Sequence, residues 1–334
     1  MEFHTPNSPS RKRTWFALTG ASGLVCMFVA LAMAQEAQAP TTTLKVTTQV
    51  VNVYAVVKDK KGHLIPNLNQ QDFELTEDNV PQTIKYFSRE TSTPLSLGIM
   101  VDTSPSQERV LNVEQQEADI FLRQVIRPKD MAFVLHFDEE VELLQDFTSD
   151  VARLVRAVDE TRIGGGGHGV LPSPVPVADP GGTHLYDAIY LASRELLKNE
   201  VGRKVLILLT DGEDQGSREK LNDALEAAQK SDVIIYSVAI IDRAFYWGAA
   251  MGFSGDSVLK KLSEETGGSV IEVHKVKDTR AAFQQIADEL RTQYLLGYTP
   301  SNTKQDGSFR RIRVKVREEN YRVQARRGYY ASEG

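Results

Sequence analysis

The chain has 334 residues, 41% of them hydrophobic and 25% charged, with a formal net charge of −6. This length and composition fit a folded globular protein with room for two domains and a real core. The charge gives no overall pull toward nucleic acid or anionic lipid. A single cysteine, Cys26, leaves no pair for a disulfide, so stability has to come from packing.

The N-terminus has the pattern of an export signal. "RKR" at 11–13 precedes the apolar "WFALTGASGLVCMFVALAMA", which ends in Ala32-Met33-Ala34 before a polar stretch. A basic start, an apolar middle and an A-x-A site predict a signal peptide over 1–34, with export as the consequence. An uncleaved membrane anchor is the alternative, because the stretch is nearly long enough to span. Cys26 lies inside this segment and is expected to be a filler.

From 44 to 88, within an N-terminal flank expected over 35–94, the pattern has a period of two. "LKVTTQVVNVYAVVKD" is rich in Val, Thr and Tyr, and "DFELTEDNVPQTIKYF" is expected to form strand, Glu-Asp-Asn turn and strand. From 95 to 298 strands and helices alternate. "LSLGIM", "KVLILLT" and "VIIYSVAII" are continuous apolar runs, as in strands buried on both faces of a parallel sheet. The first helix is expected to bury Val110, Val113, Ile120, Phe121 and Val125, and the last Phe283, Ile286, Leu290 and Tyr294. Between them runs a Gly/Pro loop over 163–182, expected to rim the strand ends and to set partner choice. The alternation predicts an α/β fold, a doubly wound Rossmann-like sheet.

From 299 to 334 the period returns to two, with a hairpin expected at Glu319-Asn320. Arg310, Arg311, Arg313, Lys315 and Arg317 alternate with apolar residues and are expected on a solvated face. Neither β segment is large enough to stand alone. The two flanks are therefore expected to form one β-sandwich into which the α/β domain is inserted.

Three polar loops follow the buried strands or lead into a helix. "VDTSPSQ" at 101–107 supplies Asp102, Ser104 and Ser106; "GGTHLYDAI" supplies Thr183; "LLTDGEDQGS" supplies Asp211. Taken singly, each fits a helix cap or a turn. In a doubly wound sheet, however, loops at the carboxyl ends of the strands share one crevice. An all-oxygen set of two carboxylates and three hydroxyls suits a hard divalent ion such as Mg²⁺, with Mn²⁺ or Ca²⁺ as alternatives. Glu213, Asp214, Asp187 and His168 are expected to be rim, brace or loop residues.

These residues resemble the metal-ion-dependent adhesion site of von Willebrand factor A-type (vWA) domains. Asp102-x-Ser104-x-Ser106, Thr183 and the strand-end Thr210-Asp211-Gly212 match its elements over residues 95–298. The flanks resemble secreted VWFA-related proteins of acidobacterial type. Pro105 and Gln107 depart from the usual motif, which more often has a small residue and a methionine there. The resemblance implies a metal site on Asp102, Ser104, Ser106, Thr183 and Asp211 whose last position takes an acidic group of a protein partner. It implies a binding module of the periplasm, envelope or exterior, not an enzyme, with no nucleic-acid partner and no membrane span after signal cleavage. A structural envelope protein with an unused site and a metal-dependent hydrolase are the alternatives; against the latter, no Ser-His-Asp order or His-Glu-x-x-His motif is present.

Overall fold

The structure is a computed structural model that describes residues 50–90, 93–164, 182–240, 255–275 and 278–333. The expected signal peptide and most of the Gly/Pro loop, with His168, lie outside these residues. All described residues belong to one compact unit.

The N-terminal flank contributes β1 (Val51–Lys58), β2 (Phe73–Glu77), β3 (Val80–Gln82) and β4 (Ile84–Glu90). Along β1, Val51, Val53, Ala55 and Val57 point inward, the period-two pattern of a strand with one buried face. β2 and β3 form the hairpin expected from the sequence. Its two turn residues, Asp78 and Asn79, both have positive φ (47° and 68°), the backbone that a two-residue turn needs to match strand twist.

The inserted part runs β5 (Leu95–Asp102), α1 (Leu111–Val125), β6 (Met131–Phe137), β7 (Val141–Thr148), α2 (Val151–Glu160) and α3 (Leu185–Leu191). It continues with β8 (Arg203–Leu209), α4 (Leu221–Lys230), β9 (Val233–Ile240), α5 (Gly255–Thr266), β10 (Val270–Val273) and α6 (Thr279–Arg291). The six strands form one sheet in the order β10-β9-β8-β5-β6-β7, parallel except for the edge strand β7. One face packs on α1, α2 and α6 through Leu97, Ile99 and Val101; the other packs on α3, α4 and α5 through Met100, Phe133 and Leu206. Gly98 sits between the two rows on β5. A Cβ there would lie 2.3 Å from Phe133 and 2.5 Å from Leu206, so the packing of the central strands requires glycine.

The chain returns through β11 (Gln293–Tyr298), β12 (Phe309–Val316), β13 (Arg322–Ala325) and β14 (Gly328–Tyr330). Two four-stranded antiparallel sheets result, β13-β1-β11-β4 and β14-β12-β2-β3, each mixing strands of both flanks. One apolar cluster joins them, with Val53, Ala55, Phe73, Leu75, Tyr294, Leu296 and Ile312 among its members. This is the sandwich, and the doubly wound sheet is inserted in it.

Three details differ from the sequence reading. Tyr294 lies on β11 inside the sandwich, not on the last helix, because α6 stops at Arg291. β12 and β13 do not form a hairpin. β12 pairs with β14 over Phe309–Arg311 and with β2 over Ile312–Val316, while β13 pairs with β1 in the other sheet. On α1 the buried face is Leu111, Glu114, Ala118, Phe121, Leu122 and Val125, while Ile120 is exposed. A charged residue therefore occupies a core position that an apolar-only repeat skips.

The basic run on β12 is also split. Arg311, Arg313, Lys315 and Arg317 face outward, but Arg310 is fully buried. Its guanidinium donates to Asn302 O and Lys304 O and lies 3.5 Å from Glu77 Oε1. The other oxygen of Glu77 accepts from the hydroxyls of Tyr298 (2.7 Å) and Tyr329 (2.9 Å). Burial, then the bond to Glu77, pushes the Tyr329 hydroxyl up to about 12. This network ties β2, β11, β12 and β14 across the sandwich core. Removing one member of a buried charge pair strands the other, at a cost of about 3–5 kcal/mol. Glu77→Ala should therefore lower the unfolding free energy by about that much in urea titration, whereas Arg313→Ala on the outer face should change it by less than about 0.5 kcal/mol.

Candidate metal centre

β5 lies between β6 on one side and β8 on the other. After β5 the chain builds the sheet outward through β6 and β7, then returns to add β8 on the opposite edge of β5. The carboxyl ends of β5 and β8 therefore flank the point where the winding reverses, the place where doubly wound sheets open a crevice. Asp102 ends β5, and Thr210-Asp211 follows β8 directly.

The two loops are joined by side-chain hydrogen bonds. The Thr210 hydroxyl donates to Asp102 Oδ2 (2.5 Å), and the Ser104 backbone N–H donates to Asp102 Oδ1 (2.9 Å). The Ser104 and Ser106 hydroxyls lie 3.1 Å apart. The Gln107 amide donates to Asp211 Oδ2 (2.9 Å) and to Ser106 Oγ (3.2 Å). Asp211 Oδ1 accepts from the Glu213 N–H, and the Gly212 N–H donates back to Thr210 Oγ1. Pro105 opens a 3-10 turn, Pro105–Gln107, a position where its fixed φ suits a helical start. Asp102, Ser104, Ser106 and Asp211 thus form one cluster, with Asp102 and Asp211 fully buried.

Thr183 reaches the same loop by its backbone. It is buried and exchanges two N–H···O bonds with Gln215, both 2.9 Å, four residues past Asp211. The surrounding acidic residues are braces. Asp214 accepts from the Tyr186 N–H at the start of α3 and from Ser217, and Asp187 accepts from the Arg218 and Glu219 N–H groups. Glu213 accepts from the Gly255 N–H at the start of α5. On the other side of β5, Thr103 bonds to Asp138 Oδ2 (2.9 Å) and to His136, fixing the β6 end against the cluster.

Three residues went unassigned in the sequence. Thr210 orients Asp102, and Gln107 joins Ser106 to Asp211 from the position where the resemblance has a methionine. The third, Glu114, lies on α1. It is fully buried, and neither of its oxygens has a hydrogen-bond partner among the described residues. The helical spacing of Gln107, Leu111 and Glu114 could have revealed it, since residues seven apart share a face.

The electrostatics follow from burial. Loss of solvent, then the charge of Asp211, pushes Asp102 up to about 7 from 3.8. Glu114 is pushed well above the usual carboxylate range by burial and by the charges of Asp102 and Asp211. Two neighbouring buried carboxylates with converging hydroxyls fit a small hard cation, which would offset their loss of solvent and their mutual repulsion. Among the described residues, no three His, Cys, Asp or Glu side chains come together as direct ligands. Any direct shell here is consequently rich in hydroxyls.

Two family models described as von Willebrand factor type A domain match the chain, one over residues 97–213 and one over 173–289. Among solved structures, the chain is similar to BatB from Bacteroides thetaiotaomicron (15% identity, TM-score 0.43, 58% of this chain and 98% of that one). It is similar to proximal thread matrix protein 1 from the mussel byssus with a zinc-occupied MIDAS motif (15% identity, TM-score 0.48, 64% of this chain). There it spans about half (50%) of the mussel chain's length. It is also similar to the vWF domain of the type V pili tip protein Mfa5 from Porphyromonas gingivalis (13% identity, TM-score 0.43, 60% of this chain and 95% of that one). No curated protein matches. The doubly wound sheet belongs to the class of α/β modules with a strand-end crevice. The chain is a von Willebrand factor type A domain protein, a class of module that commonly mediates metal-dependent protein interaction.

An acid whose folded pKa is raised binds more protons folded than unfolded between the two values. The stability linked to Asp102 is therefore present below about pH 4 and is lost as pH rises through about 7. In EDTA, the melting temperature should fall between about pH 5 and pH 7.5 more steeply for the native chain than for Asp102→Asn. Parallel calorimetric profiles would contradict the assignment.

Proposed function

We propose that the protein is an exported binding module that holds a divalent cation on Asp102, Ser104, Ser106, Thr183 and Asp211 and uses it to capture a carboxylate of a protein partner. Mg²⁺ is the first choice, with Mn²⁺ or Ca²⁺ as alternatives, because every donor is a hard oxygen. The observation that carries this reading is the cluster at the winding reversal. It holds two buried carboxylates within one hydrogen-bonded set that includes both loop serines. The bound ion supplies residual positive charge and a coordination position open to a partner.

The chain's own residues do the rest. Thr210 and the Ser104 N–H hold the Asp102 carboxylate in one orientation, and Gln107 holds Asp211. Asp214, Asp187 and Glu213 fasten the third loop to the starts of α3 and α5, so Asp211 is presented on a fixed turn. We read the site as a binding centre and not a hydrolytic one: the loop hydroxyls are taken as ligands, and Thr103, whose hydroxyl lies beside His136, is fully buried and already bonded to Asp138. Cleavage after residue 34 and a domain inserted between a flank over 35–94 and a C-terminal flank that starts with β11, earlier than the expected 299, complete the proposal. No helix among the described residues is long and apolar enough to cross a membrane.

Isothermal titration with Mg²⁺ and Mn²⁺ should show one site in the native chain and none in Asp102→Ala. Retained binding in that variant would refute the ligand assignment. A partner retained from envelope extract in Mg²⁺ should elute with EDTA; elution that ignores EDTA would refute the metal-bridged capture.

A further inference from the structure

The described part of the chain contains three fully buried glutamates, and two of them are well provided for. Glu77 accepts from two tyrosine hydroxyls and faces Arg310. Glu289 accepts from Lys58 Nζ (2.6 Å), Gln285, Gln324 (3.0 Å) and Ser269. Glu114 is the exception, with both oxygens unpartnered among the described residues. A buried carboxyl without a donor is costly, and native structures hold few of them.

Its position explains what it faces. A column of backbone hydrogen bonds runs from Ser104 O to the Gln107 N–H, from Gln107 O to the Val110 N–H and from Val110 O to the Glu114 N–H. Glu114 therefore continues the helical row of Ser104, Gln107 and Val110, the row from which Gln107 reaches Asp211. Gln107 Oε1, in the same column, is likewise buried without a partner among the described residues. Asp102 and Asp211 are the charged groups that act on Glu114. The three carboxylates do not gather as direct ligands of one ion. Glu114 therefore stands one layer behind the loop that carries Ser104 and Ser106.

We propose that Glu114 is the outer carboxylate of the metal centre, accepting a hydrogen bond from a water that the cation carries and adding a third negative charge behind Asp102 and Asp211. This rests on the metal-binding reading above. Carboxylates in that role orient the inner shell, and replacing them typically costs 10–100-fold in metal affinity. The assignment also accounts for a buried acid in a core position of α1, where an apolar side chain would pack better in the absence of an ion.

The test uses the full chain, Mn²⁺ calorimetry and melting in Mn²⁺ and in EDTA. Glu114→Gln keeps the shape and removes the charge. Its Mn²⁺ affinity should fall 10–100-fold, and the rise in melting temperature that Mn²⁺ gives the native chain should shrink. Its melting temperature in EDTA should equal or exceed the native value. Affinity within twofold of native would overturn the assignment and leave Glu114 as a buried structural acid. A loss of stability that is equal in EDTA and in Mn²⁺ would overturn it too. Should Glu114→Gln fail to fold, Glu114→Asp, which keeps the charge but withdraws it by one methylene, should still weaken Mn²⁺ binding, and unchanged binding there overturns the proposal. A native chain that binds neither Mn²⁺ nor Mg²⁺ sinks the metal reading itself, which is a different failure from an insensitive Glu114.

Discussion

Asp102 and Asp211 are brought together by the winding of the sheet, and much of the molecule is organised around that meeting. Two parallel neighbours, β5 and β8, end side by side, and each delivers a carboxylate into a place with no solvent. Left to themselves such groups repel and resist ionisation. Their surroundings respond with fixed donors: Thr210, the Ser104 N–H, Gln107 and the Glu213 N–H. Those donors hold the oxygens in place without cancelling their charge. Fixed oxygens of this kind are what the proposed binding of a cation would require of a preorganised site.

Rigidity here comes from the second rank of residues. Asp214 and Asp187 each fasten a loop to backbone N–H groups of a neighbouring segment, and Glu213 does so at the start of α5. Gly98 lets the central strands pack without a gap, which keeps the ends of β5 and β8 in register. Elsewhere the buried charges are satisfied internally. Lys58 and Gln324 from the sandwich meet Glu289 on α6, so a polar contact ties the inserted domain to its frame.

How much of this was legible depended on the kind of signal. The runs "LSLGIM", "KVLILLT" and "VIIYSVAII" could hardly be anything but central strands, and Asp102, Ser104, Ser106 and Asp211 stood out as candidates because two of those strands lead into them. Glu114 was hidden because a charged residue in a helical repeat is normally assigned to solvent, and its burial shows only once the turn from Gln107 is traced. Arg310 was hidden in the same way by its exposed neighbours Arg311 and Arg313. The expected β12–β13 hairpin did not form because β13 pairs with β1 in the opposite sheet, a long-range partner that no local pattern encodes. Thr183 was legible as a motif, yet its place is set by a backbone bridge to Gln215 that no side-chain pattern encodes.

The sandwich has a mechanical meaning as well. The chain enters the inserted domain from β4 and leaves it into β11, and these two strands are hydrogen-bonded antiparallel neighbours, with Glu90 opposite Gln293. Tension applied between the flanks would run through the ladders that join β1, β11, β4 and β13. The α/β domain is joined to that frame through the paired strands β4 and β11 and through side-chain contacts such as Lys58–Glu289 and Arg326–Asp232. Both covalent connections of the α/β domain thus leave the frame as one antiparallel pair, which holds the two ends of the inserted chain side by side.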